Sequence, residues 1–190
     1  MTGPAASGER ALRGLVRAGS GLTVLTGGQT GVDTYAALAA LHAGLAVHLV
    51  FPRGYRQEDG PLTPGRTRRL RGATLHELPS PSFRYRTWTC AYVADAVLLL
   101  DPAGGTGCRE TARAATSLGR PLLTVRSGAL SAAQAADWLA TAGPRVLMVA
   151  GCRASVLASK GKGRGLRTEL AAIMAGARQY HDGLIATTDG

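Results

Sequence analysis

The sequence predicts an α/β fold, a doubly wound and mostly parallel sheet of about six strands with helices on both faces. Three observations predict it. Six short runs, at 22–26, 46–51, 73–78, 96–101, 122–126 and 146–150, are largely apolar without strict alternation, the pattern of parallel strands covered on both faces. Helix-like stretches separate them at 32–43, 87–94, 109–118, 131–141 and 166–177. The first and fourth runs end in the glycine-rich turns Gly27-Gly28-Gln29-Thr30-Gly31 and Gly104-Gly105-Thr106-Gly107, each opening a helical stretch.

Each element has a local reason. A helical lead over 9–18 precedes the first strand, and 32–43 places Val32, Ala36, Ala39, Ala40 and Ala43 on one face, the stripe that packs on a sheet. The 190 residues fit one domain, 1–190, with an N-terminal lead over 1–20 and a flexible tail over 179–190. The segment 52–64 is long for a strand-to-helix loop, and 153–165 carries Lys160, Lys162 and Arg164 among glycines, a basic lid or a solvated loop.

Composition narrows the function. No apolar run is long enough to span a bilayer, and residues 1–10 are small and polar, so a cytoplasmic protein without an export signal is expected. Three cysteines, Cys90, Cys108 and Cys152, form no Cys-x-x-Cys pair, and His42, His48, His76 and His181 have no ligand spacing. Reduced thiols and no metal cage are expected. A net charge of +10 favours a phosphorylated partner or reflects arginine-rich composition alone. Aromatic residues make up only 5%, too few to interleave with the basic segments for base stacking, which argues against nucleic acid.

The turns carry the chemistry. A strand that ends in glycines and enters a helix aims bare N–H groups and the positive end of the helix dipole outward, which suits phosphate. In a sheet of order 3-2-1-4-5 the first and fourth strands are neighbours, so both turns are expected to meet at the switch point. Gly27, Gly28, Thr30, Gly31, Gly104, Gly105, Thr106 and Gly107 are then ligand contacts. Gln29 offers an amide to a base or pterin edge. Tight packing of helix on strand is the other reading of the first turn, with Thr30 as cap and Asp33 answering the dipole. Arg53 is a candidate for phosphate and Glu58 or Asp59 for ribose hydroxyls or pterin N–H groups, unless they form a surface ion-pair network. Arg153 is a further anion contact.

The combination Thr26-Gly27-Gly28-Gln29-Thr30-Gly31-Val32-Asp33, Phe51-Pro52-Arg53-Gly54 with Glu58-Asp59-Gly60, Arg86-Thr87-Trp88, and Gly104-Gly105-Thr106 with Gly119-Arg120-Pro121 resembles the molybdenum cofactor (Moco) carrier family of the SLOG superfamily. The likeness spans roughly 22–175 and includes Arg145 to Arg153. It implies a Rossmann-like subunit that assembles into homo-oligomers and binds the phosphorylated pterin of Moco, and it adds Arg86 and Thr87 to the ligand contacts. Cys108 is either a small packing residue or a group that meets molybdenum or a reactive electrophile. The chain departs from that family at Met148 and Cys152, and at Gly107 and Glu110. Gly104-Gly105-Thr106-Gly107 with Glu110-Thr111 is similar instead to the signature of the Lonely Guy (LOG) phosphoribohydrolases, with Ala103 in place of a proline. That resemblance implies an alternative, an N-glycosidase acting on nucleoside 5′-monophosphates through Glu110 and Arg86, and it is the resemblance that selects Arg86 over Arg84. Placed in the first turn of its helix, Glu110 also reads as an acid stabilised by the dipole.

Overall fold

A computed structural model describes residues 4–19, 21–101, 103–126, 130–161 and 165–188. Six parallel strands form the central sheet: β1 (Thr23–Thr26), β2 (Ala46–Phe51), β5 (Thr74–Glu77), β6 (Ala96–Leu100), β7 (Leu122–Val125) and β8 (Val146–Gly151). Their order is β5-β2-β1-β8-β6-β7. The central strands β1, β6 and β8 bury nearly every residue, as expected of strands with helices on both sides. Flanking them are α1 (Pro4–Val16), α2 (Val32–His42), α4 (Phe83–Val93), α5 (Thr106–Ser117), α6 (Ala132–Ala142) and α8 (Leu166–Thr188). One group packs as α2, α6 and α8, the other as α1, α4 and α5.

Sheet order is the principal correction to the sequence expectation. The first and fourth of the predicted strands, β1 and β6, are not neighbours. The last strand, β8, lies between them, in register with Thr23–Leu25 on one side and Ala96–Leu100 on the other. Its Val146, Leu147, Met148 and Val149 are buried, and this apolar content suits the most enclosed slot of the sheet. The two turns are therefore separated by two strand spacings, about 10 Å, and still face the same end of the sheet.

The helices α4 and α5 start three to four residues earlier than periodicity indicates, because the helix boundary is set before the apolar stripe begins. The Ser82 side chain accepts the Tyr85 N–H and starts α4, and α5 begins directly at Thr106 behind Gly105. The 52–64 segment folds into a hairpin, β3 (Arg56–Gln57) with β4 (Gly60–Pro61), followed by α3 (Pro64–Arg69) capped by Thr63. In the basic segment a short helix, α7 (Ala154–Ser159), precedes residues 162–164, which lie outside the described residues.

The stretch from 179, expected as a flexible tail, continues α8 to Thr188. Two side chains hold it: Tyr180 donates its hydroxyl to the Pro144 carbonyl at 3.1 Å, and His181 Nδ1 accepts the Leu22 N–H at 3.0 Å. Further back, α8 lies so close to α6 that a Cβ on Gly176 would overlap the Ala132 carbonyl. Gly176→Ala is therefore expected to lower the unfolding free energy by about 1–3 kcal/mol through overpacking, measured by urea denaturation.

Candidate functional site

A cavity of about 290 Å³ opens beyond the carboxyl ends of β6 and β8 and the turn after β1. Parallel sheets bind ligands at this edge, where strand order reverses. Three arginines, Arg84, Arg86 and Arg153, and two carboxylates, Asp33 and Glu110, line it.

The first turn is closed by the protein itself. Three of its N–H groups are paired internally: Gly28 donates to the Thr26 hydroxyl, Gln29 to Asp33, and Thr30 to the Gln29 amide oxygen. The Val32 N–H donates to the Cys152 carbonyl at 3.1 Å. The glycines answer to packing. A Cβ on Gly27 would overlap Arg86 Nη1, one on Gly28 would strike the Phe51 ring, and one on Gly31 would meet the backbone of 152–154. Gly28 and Gly31 also hold positive φ of 66° and 80°, which side chains resist. Thr30 does not cap α2, whose N-cap is Gly31 without a side-chain bond. Its hydroxyl instead donates to Glu58 and accepts from the Ala154 N–H.

The second turn is open. Among the described residues, chain neighbours aside, no atom lies within 4 Å of where a Cβ would stand on Gly104 or Gly107, and at Gly105 the nearest atom is Cys108 Sγ at 3.8 Å. Gly105 caps α5 without a side-chain bond. Among the described residues the N–H groups of Thr106, Gly107 and Cys108 have no acceptor, so α5 presents unsatisfied donors at the positive end of its dipole.

Arg86 braces the first turn and lines the cavity. It projects from α4 with 7% exposure, and its Nη1 donates to Asp33 Oδ2 at 3.1 Å. Its Nε is buried without a hydrogen-bond partner. Burial pushes the Asp33 carboxyl up, against the opposing pull of the Arg86 charge and the Gln29 N–H. Glu110, at the α5 side of the cavity, accepts from Trp88 Nε1 at 2.6 Å and Arg84 Nε at 2.9 Å. These bonds hold its carboxyl below the usual range, so it is an anion at neutral pH.

Of the residues expected to bind ligand, the structure brings Gln29, Asp33, Arg86, Thr87, Gly105, Thr106, Gly107 and Arg153 to this cavity, with Glu110. Thr30, Gly31 and Asp59 face instead a larger groove of about 880 Å³ along α2, α3 and α8. Gly27, Gly28, Arg53, Glu58 and Gly104 line neither. Asp59 is paired with Arg66 at 2.8 Å between Oδ1 and Nη1. Glu58 fixes the start of α7: it accepts from the Ser155 N–H at 3.1 Å, from the Ser155 and Thr30 hydroxyls, and lies 3.5 Å from Arg153 Nε.

A cluster that local spacing does not announce also touches the cavity. Cys108 in α5 and Cys152 after β8, both free, bring their sulfurs to 3.5 Å, and Cys152 Sγ lies 3.4 Å from Asp101 Oδ1. The bond from Cys108 lowers the Cys152 thiol, whereas that same bond, burial and the Asp101 carboxylate push Cys108 up. These cysteines stand far apart in sequence, and only the β6–β8 pairing joins them.

The parallel sheet and its switch-point cavity define the class as Rossmann-like. Within it, residues 24–163, well over half of the chain, match the circularly permutated YpsA SLOG family, and the chain belongs to that family. The topology agrees with the permutation: counted from β8 as the first strand, the sheet reads 4-3-2-1-5-6, an uninterrupted doubly wound order. The fold is also that of a solved structure from Syntrophus aciditrophicus SB described as a "Putative molybdenum carrier protein", with TM-score 0.67, 21% identity and coverage of 82% of this chain and 95% of that one. No curated protein matches the chain.

Burial opposes the charge of Glu58, but the bonds from Ser155 and Thr30 and the charge of Arg153 outweigh it and hold its carboxyl below the ordinary 4.5. Its stabilisation is therefore present above that value and is lost as pH falls through the folded-state pKa. Glu58→Gln is expected to cost about 1–2 kcal/mol at neutral pH, a difference from wild type that shrinks in acid, read by urea unfolding across the two conditions.

Proposed function

We propose that this protein binds and carries a phosphorylated pterin, the molybdenum cofactor, or a related nucleotide, in the cytoplasm. The carrying observation is the open second turn: Gly104 and Gly107 with clear space above them and Gly105 in no more than van der Waals contact, at a helix N-terminus whose first N–H groups lack partners among the described residues, beside a buried arginine. A phosphate there accepts from the 106–108 N–H groups, with Arg86 beneath it and Arg153 at the rim. The first turn contributes side chains rather than bare backbone: Gln29 and Asp33 line the cavity and suit the edge of a pterin or base. About 290 Å³ lies near the lower bound for small-ligand sites, room for a phosphate and an adjoining ring. The description of the structurally similar protein from Syntrophus aciditrophicus SB and the family membership agree with this reading. Among the described residues no helix is long and apolar enough to cross a membrane.

We further propose a homo-oligomer. The groove along α2 and α8, lined by Tyr35, Leu38, Ala39, Ala171 and Ala175, is the face a second copy would cover.

Glu110 favours a second reading. A carboxylate held ionised on the cavity wall by Trp88 and Arg84 could stabilise an oxocarbenium-like centre or activate water in a nucleoside monophosphate. Its lowered pKa does not suit a general acid.

Isothermal titration with molybdenum cofactor and a panel of nucleoside monophosphates tests the carrier. Saturable binding is expected, and affinities no tighter than millimolar throughout the panel would contradict it. Gly105→Ala discriminates further. The fold has room for this Cβ, with φ at −79°, so stability should change by less than about 0.5 kcal/mol, while ligand affinity falls at least about tenfold through the blocked backbone approach. Free base released from AMP or CMP by the wild type and abolished in Glu110→Gln would establish the hydrolase instead.

A further inference from the structure

Asp101, Cys108 and Cys152 offer one ligand atom each, all within 4.8 Å of one another. Both cysteines are 2% exposed, yet both line the cavity. Two of the three separations fit a tetrahedral ion, and the third, between Cys108 Sγ and Asp101, lies within 4.8 Å. With Zn–S near 2.3 Å and Zn–O near 2.0–2.2 Å, the edges of the tetrahedron are about 3.8 Å between sulfurs and about 3.5 Å from sulfur to oxygen. The corresponding distances are 3.5 Å between the sulfurs and 3.4 Å from Cys152 Sγ to Asp101 Oδ1. The carboxylate is also oriented by the backbone: the same oxygen, Asp101 Oδ1, accepts the Gly104 N–H at 2.9 Å and the Gly105 N–H at 3.3 Å, bonds of the kind that fix a metal-binding carboxylate.

We propose that Asp101, Cys108 and Cys152 form a binding site for a thiophilic, tetrahedral divalent cation of the Zn²⁺ type, with its fourth position turned to the cavity. Two thiolates and a carboxylate suit a borderline-soft d¹⁰ ion. Binding displaces both thiol protons to the buffer and leaves a site of net charge −1, so no oxidant or reductant is involved. Three protein ligands and an open corner are the arrangement of zinc sites that accept an exogenous ligand. The second turn is then shared, since the N–H groups of Gly104 and Gly105 orient the metal carboxylate while those of 106–108 remain outward. The inference stands apart from the carrier reading, because it concerns the metal alone and is tested without phosphorylated ligand.

The test titrates the reduced, full-length protein with Zn²⁺ by calorimetry and with Co²⁺ by absorption spectroscopy. One equivalent per chain is expected, with the Co²⁺ form showing sulfur-to-metal charge transfer and the visible bands of a tetrahedral ion. Cys108→Ser and Cys152→Ser should each weaken binding at least about 100-fold and Asp101→Asn about 10–100-fold, while Cys90→Ser, a buried thiol outside the cluster, leaves it unchanged. Where a serine variant fails to fold, the wild-type Co²⁺ spectrum decides alone. Absence of thiolate charge transfer, less than one equivalent bound, or binding abolished by His48→Gln, which would assign the metal to the stacked His48–His76 pair, overturns the proposal.

Discussion

The buried ion pair between Arg86 and Asp33 governs the architecture of this edge of the sheet. One partner comes from α4 and the other from the first turn of α2, and the guanidinium lies where a Cβ of Gly27 would stand. The pair thereby fixes the turn after β1 and demands its first glycine. Taking two charges out of water is expensive, and removing either partner would strand the other, a loss of about 3–5 kcal/mol. Nη1 of Arg86 is engaged by Asp33 while Nε is buried without a partner, and the residue also lines the cavity.

That arrangement makes the two glycine turns unequal although they read alike. The first consumes its N–H groups in its own hydrogen bonds and its glycines in close packing against Phe51, Arg86 and the backbone of 152–154. The second keeps both its donors and its space. Between them runs β8, and this strand brings Arg153 and Cys152 to the site. The permuted order therefore adds a third loop to a cavity that two neighbouring turns would otherwise have closed.

Much of this was legible in the sequence. The six strands and the α/β class followed from apolar runs and helical spacing, because burial on both faces leaves a direct compositional trace. Strand order left none: the apolar content of 146–151 suits a central slot but does not say which strands lie beside it, and that choice arises only when the sheet assembles. Glycine content marked both turns, but whether a glycine admits a ligand or an arginine depends on residues some sixty positions distant, as Gly27 and Arg86 illustrate. Glu58 read as a ligand contact, whereas its carboxylate caps α7, a helix too short for periodicity to reveal. The Cys108–Cys152 approach was invisible for the same reason as the strand order that creates it.

In the proposed reading, anions meet this protein at the backbone of the second turn and not the first. Backbone amide shifts of ¹⁵N-labelled protein during titration with inorganic phosphate test it most directly. Saturable shifts centred on Gly105, Thr106, Gly107 and Cys108, with Gly27 to Gly31 little moved, are predicted. Shifts centred on Gly27 and Gly28, or no saturable response at the start of α5, would contradict it.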